Sequence, residues 1–318
     1  MMSANLVARA WPLRLTAARA RGFSTNWSGA GTVHTARYPL HDTASPRYAD
    51  VVARGREALA TTGCASFPDF FNSAALEVAA ASAQASVDDA FVTDSTHNAY
   101  QLPDPDPALP QNHVRNQMMR TKVASTAYDE LPRDGPLYSL YNSDVFRQFV
   151  SDITSRSLFR VADPLGAASI NIFRPGWFHA WHFDESEFTT MLCLQQSDEG
   201  GEFEYTAALR NTAEDLVSPL VAELINERSA YDVVGGGEDD DKGDTSTAVN
   251  VASFEPGTLQ IFAGRYSLHH VKRIPQDAKT DRLVAVLCFA TEPNVMNSPS
   301  VQQMFWGRTV EVEEGHTA

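Results

Sequence analysis

Acidic residues are missing from the first 41 positions: neither Asp nor Glu occurs before Asp42, whereas Arg9, Arg14, Arg19, Arg21 and Arg37 fall inside that stretch. Over the whole chain the imbalance reverses, with 25 Lys and Arg against 40 Asp and Glu, a net charge of -15. Phosphate binding needs a basic face, and no Lys/Arg stripe follows the first 40 residues, so no nucleic-acid partner is expected. Cysteine is scarce. Cys64, Cys193 and Cys288 lie far apart with no CxxC spacing, which excludes a disulfide framework and a cysteine metal knot and leaves reduced core thiols. No uninterrupted apolar run reaches the roughly 20 residues of a bilayer-spanning helix, so no membrane partner is expected either. The partner is then a small molecule.

What is present divides the chain of 318 residues into unequal parts. Residues 1–40 are Arg-rich and acid-free, with Leu6, Val7, Trp11, Leu13 and Leu15 interspersed, and Arg21-Gly22-Phe23-Ser24-Thr25 resembles a mitochondrial processing site. A mitochondrial address is expected, with a plastid or cytoplasmic location or a plain disordered N-terminus as alternatives. Residues 41–310 are long enough for one domain with one core, and residues 311–318 form a polar tail. The run 235–247, containing Glu238-Asp239-Asp240-Asp241, carries too much charge to bury and is expected to be a solvated acidic loop.

Helical spacing covers residues 48–62, 73–90 and 137–159, with another helix expected over 212–229. Pro103, Pro105, Pro107 and Pro110 exclude helix or central strand from 101–110, leaving an extended loop suited to lie over a site. Beyond residue 167 the pattern shortens to β-rich runs at 168–173, 188–194, 202–205, 258–262, 268–274 and 283–290. Helices followed by a double-sheet β core predict an α+β chain with a jelly-roll barrel. Phe70-Phe71 and Met118-Met119 are expected in the core.

The chemistry is concentrated in Phe178-His179-Ala180-Trp181-His182-Phe183-Asp184-Glu185. In an extended segment His182 and Asp184, two residues apart, project to one face and can grip one ion. Two imidazoles and one carboxylate on one face of an octahedron leave three positions open on Fe(II). A third ligand is therefore needed. Downstream, His316 sits in the polar tail, and strand alternation allows only one of His269 and His270 to face inward.

Around this triplet the sequence resembles the Fe(II)/2-oxoglutarate oxygenase family in its prolyl-hydroxylase-like pattern. The resemblance runs through Asn171-Ile172-Phe173-Arg174-Pro175-Gly176, His182-Phe183-Asp184, Phe188-Thr189-Thr190-Met191-Leu192-Cys193-Leu194 and Gly200-Gly201-Glu202-Phe203-Glu204-Tyr205. It continues through Pro256-Gly257-Thr258-Leu259, Leu268-His269-His270-Val271 and Arg282-Leu283-Val284. It implies a double-stranded β-helix (jelly-roll, cupin-like) core with N-terminal helices packed on it. It also implies Fe(II), 2-oxoglutarate as co-substrate and O2. The family's His-x-Val step selects His269 as distal ligand. Arg282 takes the position that pairs with the far carboxylate of 2-oxoglutarate, slightly further from His269 than is commonest, and Asn171 joins it in cofactor binding. A planar guanidinium suits that role.

A narrower resemblance, carried by Thr96-His97-Asn98-Ala99-Tyr100, residues 181–188 and Phe305-Trp306-Gly307-Arg308, is to hydroxylases and halogenases of free amino acids. It implies that His179 and Glu185 contact substrate, against a bland reading in which His179 bonds a neighbouring strand and Glu185 is solvated. Halogenases of that group carry Gly where Asp184 stands, so hydroxylation is expected, with desaturation or cyclisation as alternatives. Oxidation of a peptide side chain and a non-catalytic metabolite- or metal-binding β-helix protein are the competing functions.

Overall fold

The computed structural model describes residues 31–210, 221–225 and 249–310. The Arg-rich leader, the acidic loop, most of the expected 212–229 helix and the tail from residue 311 lie outside these residues. Among those described, no helix is long and apolar enough to cross a membrane.

Among the described residues, four α-helices precede the β-rich half: α1 (Pro46–Thr62), α2 (Ser73–Ala85), α3 (Pro136–Tyr141) and α4 (Asp144–Thr154). The starts of α1 and α2 are local chemistry, since Ser45 accepts from Tyr48 N and Asn72 from Ala75 N, each satisfying an otherwise orphaned helical N–H. The single helix expected over 137–159 is two. Asn142 ends α3, Ser143 caps α4 by accepting from Phe146 N, and Ser155 closes it in the left-handed region. Both break residues have short polar side chains that compete with the helical ladder.

Among the described residues, twelve strands complete the fold. They are β1 (Cys64–Phe67), β2 (Phe91–His97), β3 (Met119–Thr126), β4 (Phe159–Arg160), β5 (Ala168–Phe173), β6 (His179–His182) and β7 (Phe188–Gln195), then β8 (Phe203–Ala208), β9 (Val249–Val251), β10 (Leu259–Phe262), β11 (Ser267–Val271) and β12 (Arg282–Ala290). Patterning locates β5, β7, β10, β11 and β12 to within a few residues. It misses β2 and β3, in which Thr93, His97, Thr121, Ser125 and Thr126 are buried where an apolar run would be expected.

The larger sheet has the order β1-β10-β7-β12-β5-β3-β2, and the smaller β6-β11-β8-β9. From β5 to β8 the chain switches sheet at every step, and it does so again from β9 to β12, so the two sheets are woven together and face one another. Alternation sorts their side chains: Val284, Cys193, Met191, Phe262 and Phe173 meet Phe203, Tyr205 and Val271 between the sheets. Leu283, Ala285, Leu287 and Leu192 turn to the other face and pack on Phe67, Phe70, Phe146 and Phe149 beneath the helices. Phe70, Phe71 and Met119 are buried, and Met118 is partly so. The three cysteines are free thiols. The last helix, α5 (Pro299–Trp306), crosses β2 and β3 at the mouth of the sandwich.

Candidate metal centre

His182 and His269 are direct partners in the antiparallel β6/β11 ladder, so both project to the inner face of the smaller sheet. Their rings lie 4.1 Å apart. Asp184 follows two residues after His182, its position held by backbone bonds from Phe183 N to Ala99 O and from Asp184 N to Gly264 O. Asp184 Oδ1 is 3.6 Å from His182 Nε2 and 3.4 Å from His269 Nε2, and one ligand atom from each residue falls within 4.8 Å of the others.

Hydrogen bonding decides which atoms remain available. His182 Nδ1 lies 2.7 Å from Ala180 O and His269 Nδ1 3.0 Å from Ser267 O. A carbonyl can only accept, so each Nδ1 carries the proton and each Nε2 keeps its lone pair for a metal. Thr189 Oγ1 donates to Asp184 Oδ2 at 2.7 Å, leaving Oδ1 as the free donor atom. Space is equally constrained. A Cβ on Gly264 would stand 2.1 Å from Asp184 Oδ2, so any side chain there displaces the carboxylate. Thr189 and Gly264 are invisible to motif reading, because one acts only through a hydroxyl on Asp184 and the other by lacking a side chain beside it.

His270 points the other way. It stacks on Trp181 at 3.9 Å, and its Nε2 bonds Glu204 Oε2 at 2.9 Å. His179 is three residues from His182, a spacing that plain alternation would send to opposite faces. A register shift between the His269/His182 and Val271/His179 pairs re-aims it, and its ring stacks on His182 at 3.8 Å and 18°. Behind both, His97 sits edge-on at 5.8 Å and 6.3 Å, bonded to Thr121 Oγ1.

The cavity beside the three ligand atoms is lined by β5, β7 and β12 on one side and by α5 on the other. Arg282, first residue of β12, reaches into it while only 4% exposed. Its guanidinium lies 5.4 Å from the Phe173 ring and 5.5 Å from that of Phe254, and among the described residues no carboxylate comes within ion-pair distance. Burial lowers its pKa to about 10. The stem passes Gly201, φ 73°, where a Cβ would approach Arg282 Cδ to 3.1 Å; this gives the Gly200-Gly201 pair a steric purpose. Asn171 lines the same wall, with its Oδ1 3.2 Å from Ser125 Oγ.

Glu185 occupies the cavity edge, but Ser298 N and Ser298 Oγ donate to its two carboxylate oxygens at 2.8 and 2.6 Å. It is bound to the start of α5 rather than solvated. Of the proline-rich loop, Gln101 alone reaches the cavity; at φ 58° it donates from Nε2 to Phe183 O, bracing the segment that carries Asp184.

No protein-family profile and no curated protein matches this sequence. Among solved structures the chain is similar to a 2OG-Fe(II) oxygenase-family oxidoreductase from Burkholderia pseudomallei, at TM-score 0.46 and 14% identity over 77% of this chain and 92% of that one. It is similar to a Pseudomonas putida prolyl-4-hydroxylase, at TM-score 0.41 and 14% identity over 76% and 99% of the two chains. A Trichoplax adhaerens prolyl hydroxylase, solved with a hypoxia inducible factor peptide fragment, gives TM-score 0.47 and 11% identity over 77% and 91%.

Electrostatically the site is prepared for a cation. Burial, and then the neighbouring His269, push His182 down to about 4. Burial also lowers His97 and, with His182 beside it, holds His179 well below the usual range. Burial alone would raise the Asp184 carboxyl, yet His269 and His182 keep it well below the usual range, hence ionised. A neutral His182 beside an ionised Asp184 is the protonation state that metal binding needs.

The same shifts predict a stability profile for the metal-free protein. Below pH 6.5 the unfolded histidines take up protons while His182 stays neutral until about pH 4. Stability therefore falls as pH drops through that window, by up to about 1.4 kcal/mol per pH unit for each such histidine. Urea unfolding across the interval measures it, and a flat profile would contradict a neutral His182.

Proposed function

We propose that this protein is an Fe(II)- and 2-oxoglutarate-dependent oxygenase on a double-stranded β-helix, hydroxylating a C–H bond of a small polar substrate such as a free amino acid or its derivative. One observation carries the reading: a His-Asp-His set with its ligand atoms free, and a buried guanidinium without a carboxylate partner among the described residues, line a single cavity. A buried unpaired cation is costly unless an anion completes it, and a planar guanidinium fits a carboxylate with two parallel bonds.

His182 and His269 would hold Fe(II) through their Nε2 atoms and Asp184 through Oδ1, a donor set of two nitrogens and one oxygen that suits that ion. Bound there, Fe(II) supplies the chemistry by which O2 and 2-oxoglutarate become succinate, CO2 and one oxygen atom inserted into substrate. Arg282 receives the far carboxylate of 2-oxoglutarate, with Asn171 and Ser125 beside it. Phe173, Met191, Phe203, Val271 and Val284 keep that wall dry, which strengthens every charge interaction inside. His179 stacks on His182 and lines the same cavity, which supports a substrate contact there. The carboxylate of Asp184, standing where halogenases of the resembled group carry Gly, favours hydroxylation or another oxidation over halogenation.

The test is Fe(II), 2-oxoglutarate and O2 with a panel of amino acids, following succinate and products heavier by one oxygen atom. Succinate that rises with a panel member, and not in His182→Ala, is expected. Absence of 2-oxoglutarate binding by the metal-loaded wild type would remove the reading.

A further inference from the structure

A second cavity shares no lining residue with the one at the metal centre. One wall is a face of α1 running from Arg47 through Arg54 to Ala58, the other is Arg37 with Tyr38, and the floor is the end of β1 with Pro68. It measures about 420 Å³, within the roughly 300–1,000 Å³ of small-molecule sites. Packing fixes its shape. Tyr38 is buried, and its hydroxyl donates to Pro68 O at 2.6 Å, tying the second wall to the floor. α1 is pressed onto that floor at Gly55, where a Cβ would stand 2.9 Å from Phe67 Cζ and 3.1 Å from Ile153 Cγ1. Glycine inside a helix costs stability relative to alanine, and here it permits that close approach.

The charge of this cavity opposes that of the chain. The protein carries -15, yet the lining holds three guanidiniums and no carboxylate. Arg37 pairs with Asp69 and Arg54 with Asp50, each through one nitrogen and each with an aspartate that stands outside the lining. The side chains of both pairs are 45–70% exposed. Exposed pairs of this kind contribute little, so an anion entering the cavity can compete with either aspartate. Arg47 is exposed and has no ion-pair partner among the described residues. Seven residues separate Arg47 from Arg54, which places them on one face of α1, about 10 Å apart along its axis. A single carboxylate satisfies one guanidinium fork. Three forks spread over two helical turns call for several linked anionic groups.

We propose that this cavity binds a small molecule carrying two or more linked phosphoryl groups, with Arg37, Arg47 and Arg54 as its ligating residues. A nucleoside diphosphate and an inorganic oligophosphate share that chemistry. The site stands apart from His182, Asp184, His269 and Arg282, so it is independent of the oxygenase reading.

The experiment titrates tripolyphosphate, ADP and citrate into the full-length protein by calorimetry, at about 0.15 M ionic strength, where charges beyond about 8 Å are screened. The two phosphate probes are expected to bind one per chain, and citrate at least tenfold more weakly. ADP tighter than tripolyphosphate assigns a nucleotide, and the reverse order an inorganic oligophosphate; either order supports the site. Arg47→Ser and Arg54→Ser should each weaken the tighter probe by roughly tenfold to a hundredfold. Both side chains are exposed, so an unchanged melting temperature is expected of each variant and separates lost binding from lost fold. Arg282→Met should bind the probe as the wild type does. No binding of either phosphate probe, citrate as tight as tripolyphosphate, full affinity in both serine variants, or loss in Arg282→Met overturns the proposal.

Discussion

Arg282→Met will bind 2-oxoglutarate far more weakly than the wild type, and its ligand-free form will melt at a higher temperature. Both effects follow from one fact: the guanidinium is buried with two phenylalanine rings for neighbours and without a carboxylate partner among the described residues. Removing one side of a buried, hydrogen-bonded charge pair costs roughly 2–5 kcal/mol of binding, or about thirtyfold to a few thousandfold in affinity. Without the ligand the same guanidinium is a desolvated charge. Replacing buried charge by an apolar side chain of similar length is neutral or stabilising, by about 1–4 kcal/mol. Methionine also keeps favourable contacts with Phe173 and Phe254. Thermal unfolding with and without 2-oxoglutarate measures both quantities: the wild type should gain stability with added ligand and the variant should not. Unchanged affinity together with a lowered melting temperature would mean that Arg282 serves the fold alone.

Metal retention separates the adjacent histidines just as sharply. His269→Ala removes a ligand that faces His182 across the ladder, and its loss of metal affinity should exceed the roughly 10–100-fold that changes outside the ligand shell cost. His270→Gln alters the stack on Trp181 and the bond to Glu204, on the opposite face, and should keep its metal. Metal content after gel filtration decides the matter, and the reverse pattern would exchange the two roles.

Pattern reading reaches some of this and stops at definite places. His182 and Asp184 are legible because a two-residue spacing in extended chain is a local property. The choice between His269 and His270 is not local, since it depends on which ladder partner opposes His182. His179 defeats alternation altogether, because a register shift turns it toward the same cavity as His182. Glu185 looks like a free flanking acid, and only the packing of a helix more than a hundred residues later shows Ser298 occupying it. Gly264 and Thr189 leave no trace in composition or period, since one works by lacking a side chain and the other by touching an oxygen of Asp184. The pair β2/β3 escapes for a different reason: Thr93, His97, Thr121, Ser125 and Thr126 fill buried positions with polar side chains, so no apolar alternation marks the strands.

The last strand of the chain lies between β7 and β5, at the middle of the larger sheet. During synthesis, then, the inner edges of β7 and β5 have no ladder partner until residue 290 has left the ribosome, and unpaired inner edges are what aggregation exploits. Arg282 sits on that same strand, and His269 on the one before it. The candidate ligand set and Arg282 consequently come together only after both strands have been made.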